Sequence, residues 1–326
     1  MRYTVLTDDD VRRVMPMSAA VDRIESALRE HAEGTIVAPP RFRVDVDKGA
    51  LIFTAGAVTH YDRAVGFRVY DRFQGSHASH GQVVVVFDSD TGDFKGVIVG
   101  GHLGAMRTGA IGGVAIKHMA HPDASRIAVL GSGRQARTHL EAAAVVRHFA
   151  SVKVYSPNAT RREAFASEMR ETLDLNVTPV VSAQEAVADA DVVLCVTTST
   201  TPVFDPSWLK PGAHVNTVGP RAQGESELDA SIAGRVRVVA TDSRRQLRSY
   251  AQPYFLADTP CMEAMVELGD NVVGKQRGRH SPDDITLFCT AGLSGTEVAV
   301  ASEALRRAGQ MTREGGNDAS DDAPHR

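Results

Sequence analysis

Two rhythms of apolar and polar positions divide this chain. Before residue 120, apolar residues recur at helical spacing at Val11 and Val14, then at Val21, Ile24 and Leu28, which predicts a pair of N-terminal helices. Strand-like runs follow at 41–46, 50–55 and 65–73. A hairpin comes next: 82–88 leads into the turn Ser89-Asp90-Thr91-Gly92, and the chain returns to Val99. Consecutive strands of this kind predict a mostly antiparallel α+β domain.

From Arg126 onward, short continuous apolar runs alternate with helical stretches. The runs lie at 127–130, 152–155, 177–181, 192–196, 214–218, 236–240 and 285–289. Ser182 and Glu185 have the spacing of a capping box opening one of the helices. Uninterrupted apolar strands separated by helices are buried on both faces, so they predict a parallel, doubly wound sheet. The expected fold class is therefore α/β: a Rossmann-type doubly wound parallel sheet plus an α+β domain. A last helix over 295–307 would pack back on the first domain. The expected units are 1–120 with 297–308, then 121–296, then a polar, Gly- and Asp-rich tail over 309–326 that reads as disordered.

The run 127–130 feeds directly into Gly131-Ser132-Gly133-Arg134-Gln135-Ala136, and a helical pattern follows over 138–149. In a strand–turn–helix unit Gly131 allows the tight turn and Gly133 lets the backbone approach a pyrophosphate. Ala136 lets helix and strand pack closely. Unpaired N–H groups at the positive end of the helix would hold the phosphates. The end of the next strand discriminates between the two nicotinamide cofactors, because an acid there accepts the ribose 2′-OH and repels a 2′-phosphate. Here Ser156 stands in its place, followed by Asn158, Thr160, Arg161 and Arg162. Hydroxyl, amide and guanidinium groups suit a phosphate dianion, which favours NADP and leaves NAD as the alternative.

Composition excludes more than it adds. A formal net charge of −4 gives no reason to expect nucleic acid or an anionic membrane as partner. No apolar run approaches the ~20 residues of a bilayer helix, and no signal-peptide pattern is present, so the cytoplasm is the expected location. Cys195, Cys261 and Cys289 are widely spaced, and the first and last sit in apolar strands as buried thiols. His60, His77, His80 and His102 lack a carboxylate at ligand spacing, so no metal site is expected.

Four segments together carry a family resemblance: GAMRTGAIGGVAIKHMA (104–120), GSGRQA (131–136), HVNTVGPRAQGESELD (214–229) and ITLFCTAGLSGTEVAVA (285–301). The chain resembles the ornithine cyclodeaminase/mu-crystallin family over all but its tail. The resemblance implies a homodimer in which a substrate and dimerisation domain precedes a Rossmann domain. It also implies a small amino- or imino-acid substrate, handled by cyclodeamination, amino-acid dehydrogenation or ketimine reduction. By position, Arg107 resembles the arginine between substrate carboxylate and cofactor, with Thr108 near the phosphates, and Arg41 resembles a second carboxylate-binding arginine, with Arg43 close by. Ser132 and Gly133 match the phosphate loop and Ser156 the ribose position. Thr197, Val218 and Gly219 match the nicotinamide side, and Thr290 and Ala291 the pair closing over nicotinamide and substrate. Ser79 stands where the family has a threonine near the cofactor.

Two departures from the family pattern redirect the chemistry. Where cyclodeaminases and family alanine dehydrogenases carry a lysine, this chain has Arg68. Where cyclodeaminases carry a catalytic aspartate, it has Arg221. Arginine stays protonated, so neither is a ready general acid or base, yet both can bind a carboxylate. That disfavours cyclodeamination and favours hydride transfer between nicotinamide and a 2-imino (or 2-oxo plus amine)/2-amino acid. Arg41 and Arg107 would clamp the carboxylate, and Arg68 would add positive field. Such a pocket repels a cationic side chain and suits a dicarboxylate or a small neutral imino acid. A protein that binds NADP(H) and a small ligand without turnover is the non-enzymatic alternative. No catalytic residue is identified; the histidines named above, Tyr61, Tyr70 and Asp71 stay open as proton donors.

Overall fold

A computed structural model of the chain describes residues 3–73 and 81–317, with side chains as far as 311. His77, Ser79 and His80 lie outside the described residues. The first sheet comprises β1 (Thr4–Leu6), β2 (Ile36–Val37), β3 (Phe42–Val46), β4 (Gly49–Val58), β5 (Ala64–Asp71), β6 (Gln82–Asp88) and β7 (Phe94–Val99). Its order is β1-β7-β6-β5-β4-β2, with β3 also paired to β4. All pairs are antiparallel except β1 with β7. Helices α1 (Asp8–Val14) and α2 (Met17–Glu33) connect β1 to β2, and α3 (His102–Met119) follows β7. Thr7 and Asp10 close a reciprocal capping box at the start of α1.

The second half alternates strand and helix as its apolar runs predict. It runs β8 (Arg126–Leu130), α4 (Arg134–Val146), β9 (Ser151–Tyr155), α5 (Ala159–Leu173), β10 (Val177–Pro179), α6 (Ala183–Val187), β11 (Val192–Cys195) and β12 (His214–Thr217). A small hairpin of β13 (Arg221–Ala222) and β14 (Glu225–Ser226) precedes β15 (Val236–Thr241). Short helices α7 (Arg244–Arg248) and α8 (Pro260–Ala264), strand β16 (Val266–Glu267) and α9 (Leu268–Val272) lead to β17 (Ile285–Cys289) and α10 (Thr296–Asn317). The eight-stranded sheet has the order β10-β9-β8-β11-β12-β17-β15-β16 and is parallel throughout. From β8 the chain moves first to one side, through β9, and later to the other, through β11. That is the switch point at which an open α/β sheet leaves a crevice.

Helix α3 joins the halves. It is buried on nearly every side, and it packs so closely on α4 that a methyl group at Gly109 would lie 2.4 Å from the Thr138 carbonyl oxygen. One apolar core runs from Val84 and Ile98 of the first sheet, through Ile111 and Val114 of α3, to Val238 and Phe288 of the second.

Three local expectations need correction. Strand β10 stops at Pro179, leaving Val181 exposed. Ser182 caps α6 through Glu185 N, but the Glu185 carboxylate accepts from Val181 N, so the box is not reciprocal. The final helix, expected over 295–307, runs on through Gly309 to Asn317. Its buried face, Val298 to Leu305, nucleates the helix, Glu303 pairs with Arg306 and Arg307, and extension then costs little.

Candidate active site

Two cavities open over the C-terminal ends of β8, β9, β11 and β12, and Thr197 and Thr198 line both. They form one groove across the switch point. The first, of about 700 Å³, is lined by Gly131, Ser132, Gly133, Ser156, Asn158 and Arg161. The second, of about 750 Å³, is lined by Arg41, Arg68, Arg107, Thr108, Arg134, Gln135, Val218, Gly219, Thr290 and Ala291. Of the residues expected around the ribose, Thr160 and Arg162 line neither. Thr160 is exposed on the first turn of α5, whereas Arg161, also exposed, borders the first cavity.

The glycine loop is shaped for a dinucleotide. Gly131 has φ +116°, and a Cβ there would lie 2.7 Å from the Val196 carbonyl oxygen, so a side chain is excluded by conformation and by space. Gly133 caps α4 with no side-chain hydrogen bond, and a Cβ added there meets nothing within 4 Å. The first-turn N–H groups therefore face open space, the arrangement that holds a pyrophosphate. No acidic side chain lines the cavity around Ser156. Asn158 Oδ1 accepts from Arg161 N as the cap of α5, and Arg162 donates to the Ser156 carbonyl at 2.6 Å. The residues present thus fit a dinucleotide along this half of the groove.

At the other end, guanidinium groups converge. Arg107, on the buried helix α3, donates to Glu297 Oε1 at 2.5 Å, and Arg68 of β5 reaches the same oxygen at 3.4 Å. Arg68 also donates to Gln82 at 2.6 Å and lies over the Tyr70 ring. Burial lowers the Arg68 pKa to about 10 against the pull of Glu297, which leaves it protonated at neutral pH. Burial alone would raise the Glu297 carboxyl, but the charges of Arg107 and Arg68 hold it below its ordinary value. Arg41 donates to the Ala291 and Gly292 carbonyls at 2.6 and 3.2 Å. Arg43 instead points away and pairs with Asp45 at the surface. A methyl group on Gly292 would lie 2.5 Å from Arg41 Nη2 and 3.3 Å from Arg107 Nη1, so the two arginines flank one notch.

Arg221 donates to the Thr290 carbonyl and, at 2.9 Å, to the Val218 carbonyl. Of the open proton-donor candidates, Tyr70 and Asp71 line the cavity. His60 and Tyr61 meet edge to face away from it, and His102 faces a separate cavity beside α1 and α5. Among the described residues no group of three or more His, Cys, Asp or Glu is arranged to hold a metal.

Three buried carboxylates brace these loops, and sequence reasoning missed all three. Glu297 holds the arginines. Glu227 accepts from the backbone of Thr197, Val218 and Gly219 and from the hydroxyls of Thr197 and Thr217. Asp242 accepts from the backbone N–H groups of Ala291, Gly292 and Leu293. The available signal was an acid within or ending a buried apolar run, as in Val238–Val239–Ala240–Thr241–Asp242, where a charge is retained only if it is paired.

Comparison with known proteins decides the family. The family model for ornithine cyclodeaminase/mu-crystallin matches residues 1–309. The chain belongs to the ornithine cyclodeaminase/mu-crystallin family. It is 28% identical over 320 residues to the Delta(1)-pyrroline-2-carboxylate reductase of Bacillus cereus (strain ATCC 10987 / NRS 248), covering 93% of this chain and 96% of that protein. Its fold superimposes on the Thermococcus litoralis Delta(1)-pyrroline-2-carboxylate reductase in complex with NADH and L-proline. That match has a TM-score of 0.85 at 26% identity, over 94% of this chain and 98% of the other. An archaeal alanine dehydrogenase dimer with bound NAD gives 0.86 at 25% identity, over 96% and 98%.

Proposed function

We propose that this member of the family is an NAD(P)-dependent oxidoreductase acting on CH–NH or CH–NH₂ groups. It reduces 2-imino acids and, in reverse, oxidises 2-amino acids. The observation that carries the reading is the single groove joining a dinucleotide loop to the Arg41–Arg107 notch. When bound, the nicotinamide supplies or accepts the hydride. Arg41 and Arg107 hold the substrate carboxylate and so fix the imine carbon relative to the cofactor face. Glu227 and Asp242 keep the 197, 217–219 and 291–293 backbone in place, and Glu297 keeps Arg107 and Arg68 extended. A protonated imine brings its own proton. On hydride addition at C2 the C=N π pair becomes the nitrogen lone pair, and no side-chain acid is required.

Cyclodeamination is disfavoured by the same geometry. Arg68 and Arg221 occupy the lysine and aspartate positions, and both spend donors on fixed acceptors. NADP(H) is the proposed cofactor, supported by Ser156 and Arg161 in a cavity without acids. Free Cys195, Cys261 and Cys289 suit a reducing compartment such as the cytoplasm, and no described helix is long and apolar enough to cross a membrane.

The proposed assembly is a homodimer, on the strength of the outer face of the first sheet. The cross-strand row Val5, Val97, Val85, Phe67 and Ala55 runs beside the row Val99, Val83, Val69, Phe53 and Phe42. An apolar face of this breadth on an open sheet calls for a partner. The functional test is reduced-cofactor oxidation with cyclic imino acids and with 2-oxo acids plus ammonia, using NADPH and NADH in parallel. Turnover of any of these supports the reading. Ammonia release from ornithine without net cofactor consumption would replace it with cyclodeamination.

A further inference from the structure

We infer that the substrate is a short 2-imino dicarboxylic acid of four or five carbons, and that Arg221 receives its second carboxylate. The inference rests on the imino-acid reading above and sharpens it. Six arginines line the substrate end of the groove: Arg41, Arg68, Arg72, Arg107, Arg134 and Arg221. Against them stand one lining aspartate, Asp71, and the buried Glu227, Asp242 and Glu297 behind the lining. Arg68 and Arg107 pair with Glu297. The bonds of Arg41 and Arg221 go to neutral carbonyls and to the Tyr70 hydroxyl, so among the described residues these two have no carboxylate in an ion pair, and each can receive one from the substrate.

Geometry assigns that anion to Arg221. Arg41 and Arg221 lie over the same Tyr250 ring, at 5.9 and 5.7 Å from its centre. The Tyr250 hydroxyl is fixed on the Ala291 carbonyl at 2.9 Å. Arg221 is anchored on the Thr290 carbonyl, and Arg41 on those of Ala291 and Gly292. A residue step is about 3.8 Å, so the two anchors stand one to two steps apart. At that spacing the two ends of a four- or five-carbon dicarboxylate each meet one guanidinium. Arg221 has five N–H donors, and the two bonds to carbonyls leave donors for a carboxylate. A monocarboxylate would leave Arg221 without an anion in a partly buried site, and a cationic side chain would be repelled. Chemically the step is unchanged: hydride adds at C2, the C=N pair moves to nitrogen, the nicotinamide is oxidised, and both carboxylates remain bystanders.

The test compares oxaloacetate plus ammonia with pyruvate plus ammonia, for the wild type, Arg221→Gln and Arg221→Lys, with NADPH and with NADH. A charge-assisted pair corresponds to roughly a 10- to 100-fold preference in kcat/KM for the dicarboxylate. Arg221→Gln should bring that ratio to within about threefold, chiefly through KM, and Arg221→Lys should restore part of it. Equal or better use of pyruvate by the wild type overturns the inference, as does an undiminished preference in Arg221→Gln.

Titration calorimetry with succinate and butyrate separates this inference from the function it rests on. Succinate-selective binding that is lost in Arg221→Gln, without turnover of any imino acid, upholds the second-carboxylate site and refutes the reductase. Turnover of monocarboxylate imines with no selectivity for succinate does the opposite.

Discussion

Replacing Glu297 by glutamine tests the electrostatic frame of the site. The carboxylate is buried, 2.5 Å from Arg107 Nη2 and 3.4 Å from Arg68 Nη1, with the Thr54 hydroxyl at 3.4 Å. Removing one member of a buried ion pair leaves the other charge uncompensated, at a cost of about 3–5 kcal/mol. Glutamine preserves the volume and can still accept one bond from Arg107, and the adjoining cavity admits water to both guanidinium groups. The expected loss at neutral pH is therefore about 2–4 kcal/mol. The pH dependence has a fixed sign. A carboxyl whose folded pKa lies below its ordinary 4.5 contributes stability above that value and loses it as pH falls toward the folded pKa. The gap between wild type and Glu297→Gln should accordingly be full at pH 7 and narrow below 4.5. Urea unfolding followed by far-UV circular dichroism at a series of pH values measures it. In the variant Arg68 and Arg107 also lose the counter-charge that keeps them extended, so KM should rise more than kcat falls. Added dicarboxylate should then raise the melting temperature of the variant less than that of the wild type. A loss under about 1 kcal/mol together with an unchanged KM would refute this account of Glu297.

Four further outcomes follow from the structure. Gly133→Val should leave the melting temperature of the cofactor-free protein nearly unchanged while abolishing NAD(P)H binding, because its Cβ meets open space where the pyrophosphate belongs. Gly131→Ala should lower the melting temperature, since φ +116° and the Val196 carbonyl at 2.7 Å both oppose a side chain. Arg161→Glu should shift the NADPH-to-NADH ratio of kcat/KM toward NADH by about 10- to 100-fold, and an unmoved ratio would remove Arg161 from cofactor selection. Glu25 is lowered to about 2, first by its hydrogen bond to His118 and then by Lys117, which together tie α2 to α3. Glu25→Gln should cost about 0.5–1 kcal/mol at pH 7, a value discounted for solvent screening. That cost should fade as pH drops from about 4.5 toward 2, which chemical unfolding down to pH 3.5 would detect.

The parts of the fold visible in the sequence were those set by local pattern. Apolar runs without alternation announced the parallel strands, and Gly131 and Gly133 announced the turn because a tight backbone path restricts which residues fit. The final helix runs past its expected end at 307 although Gly309 and its polar neighbours carry a weak local signal. The buried face ahead of them and the Glu303 pairs with Arg306 and Arg307 are stronger. Thr160 was misplaced because helix phase, which decides whether residue 160 or 161 faces the groove, depends on where α5 begins. Asn158 fixes that point by capping Arg161 N. Arg41 and Arg43 cannot be told apart by pattern, since one precedes and the other lies in the same short strand β3, and only its packing sends one to the groove and the other to Asp45. Glu227, Asp242 and Glu297 were out of reach for a different reason. Their main partners lie 8 to 190 residues away along the chain, so no local window contains the reason for their charge.

Those three carboxylates also explain how one scaffold can change its chemistry at two positions. Glu227 and Asp242 spend their oxygens on backbone N–H and hydroxyl groups, and Glu297 spends its own on Arg107 and Arg68; none of them is among the residues lining the groove. The bonds these carboxylates make to the cofactor loops thus do not involve the side chain at 221, which ties the Val218 and Thr290 carbonyls separately, and only those of Glu297 involve the one at 68. Arginine at both positions alters the charge and proton-transfer capacity of the groove without disturbing those braces. The guanidinium groups of the lining then face the substrate. Its binding should weaken with salt at the exposed Arg72 and Arg134 and resist salt at the buried Arg68 and Arg107, where screening is poor. Specificity in this fold accordingly resides in a few groove-lining side chains, and the family alone does not determine the substrate.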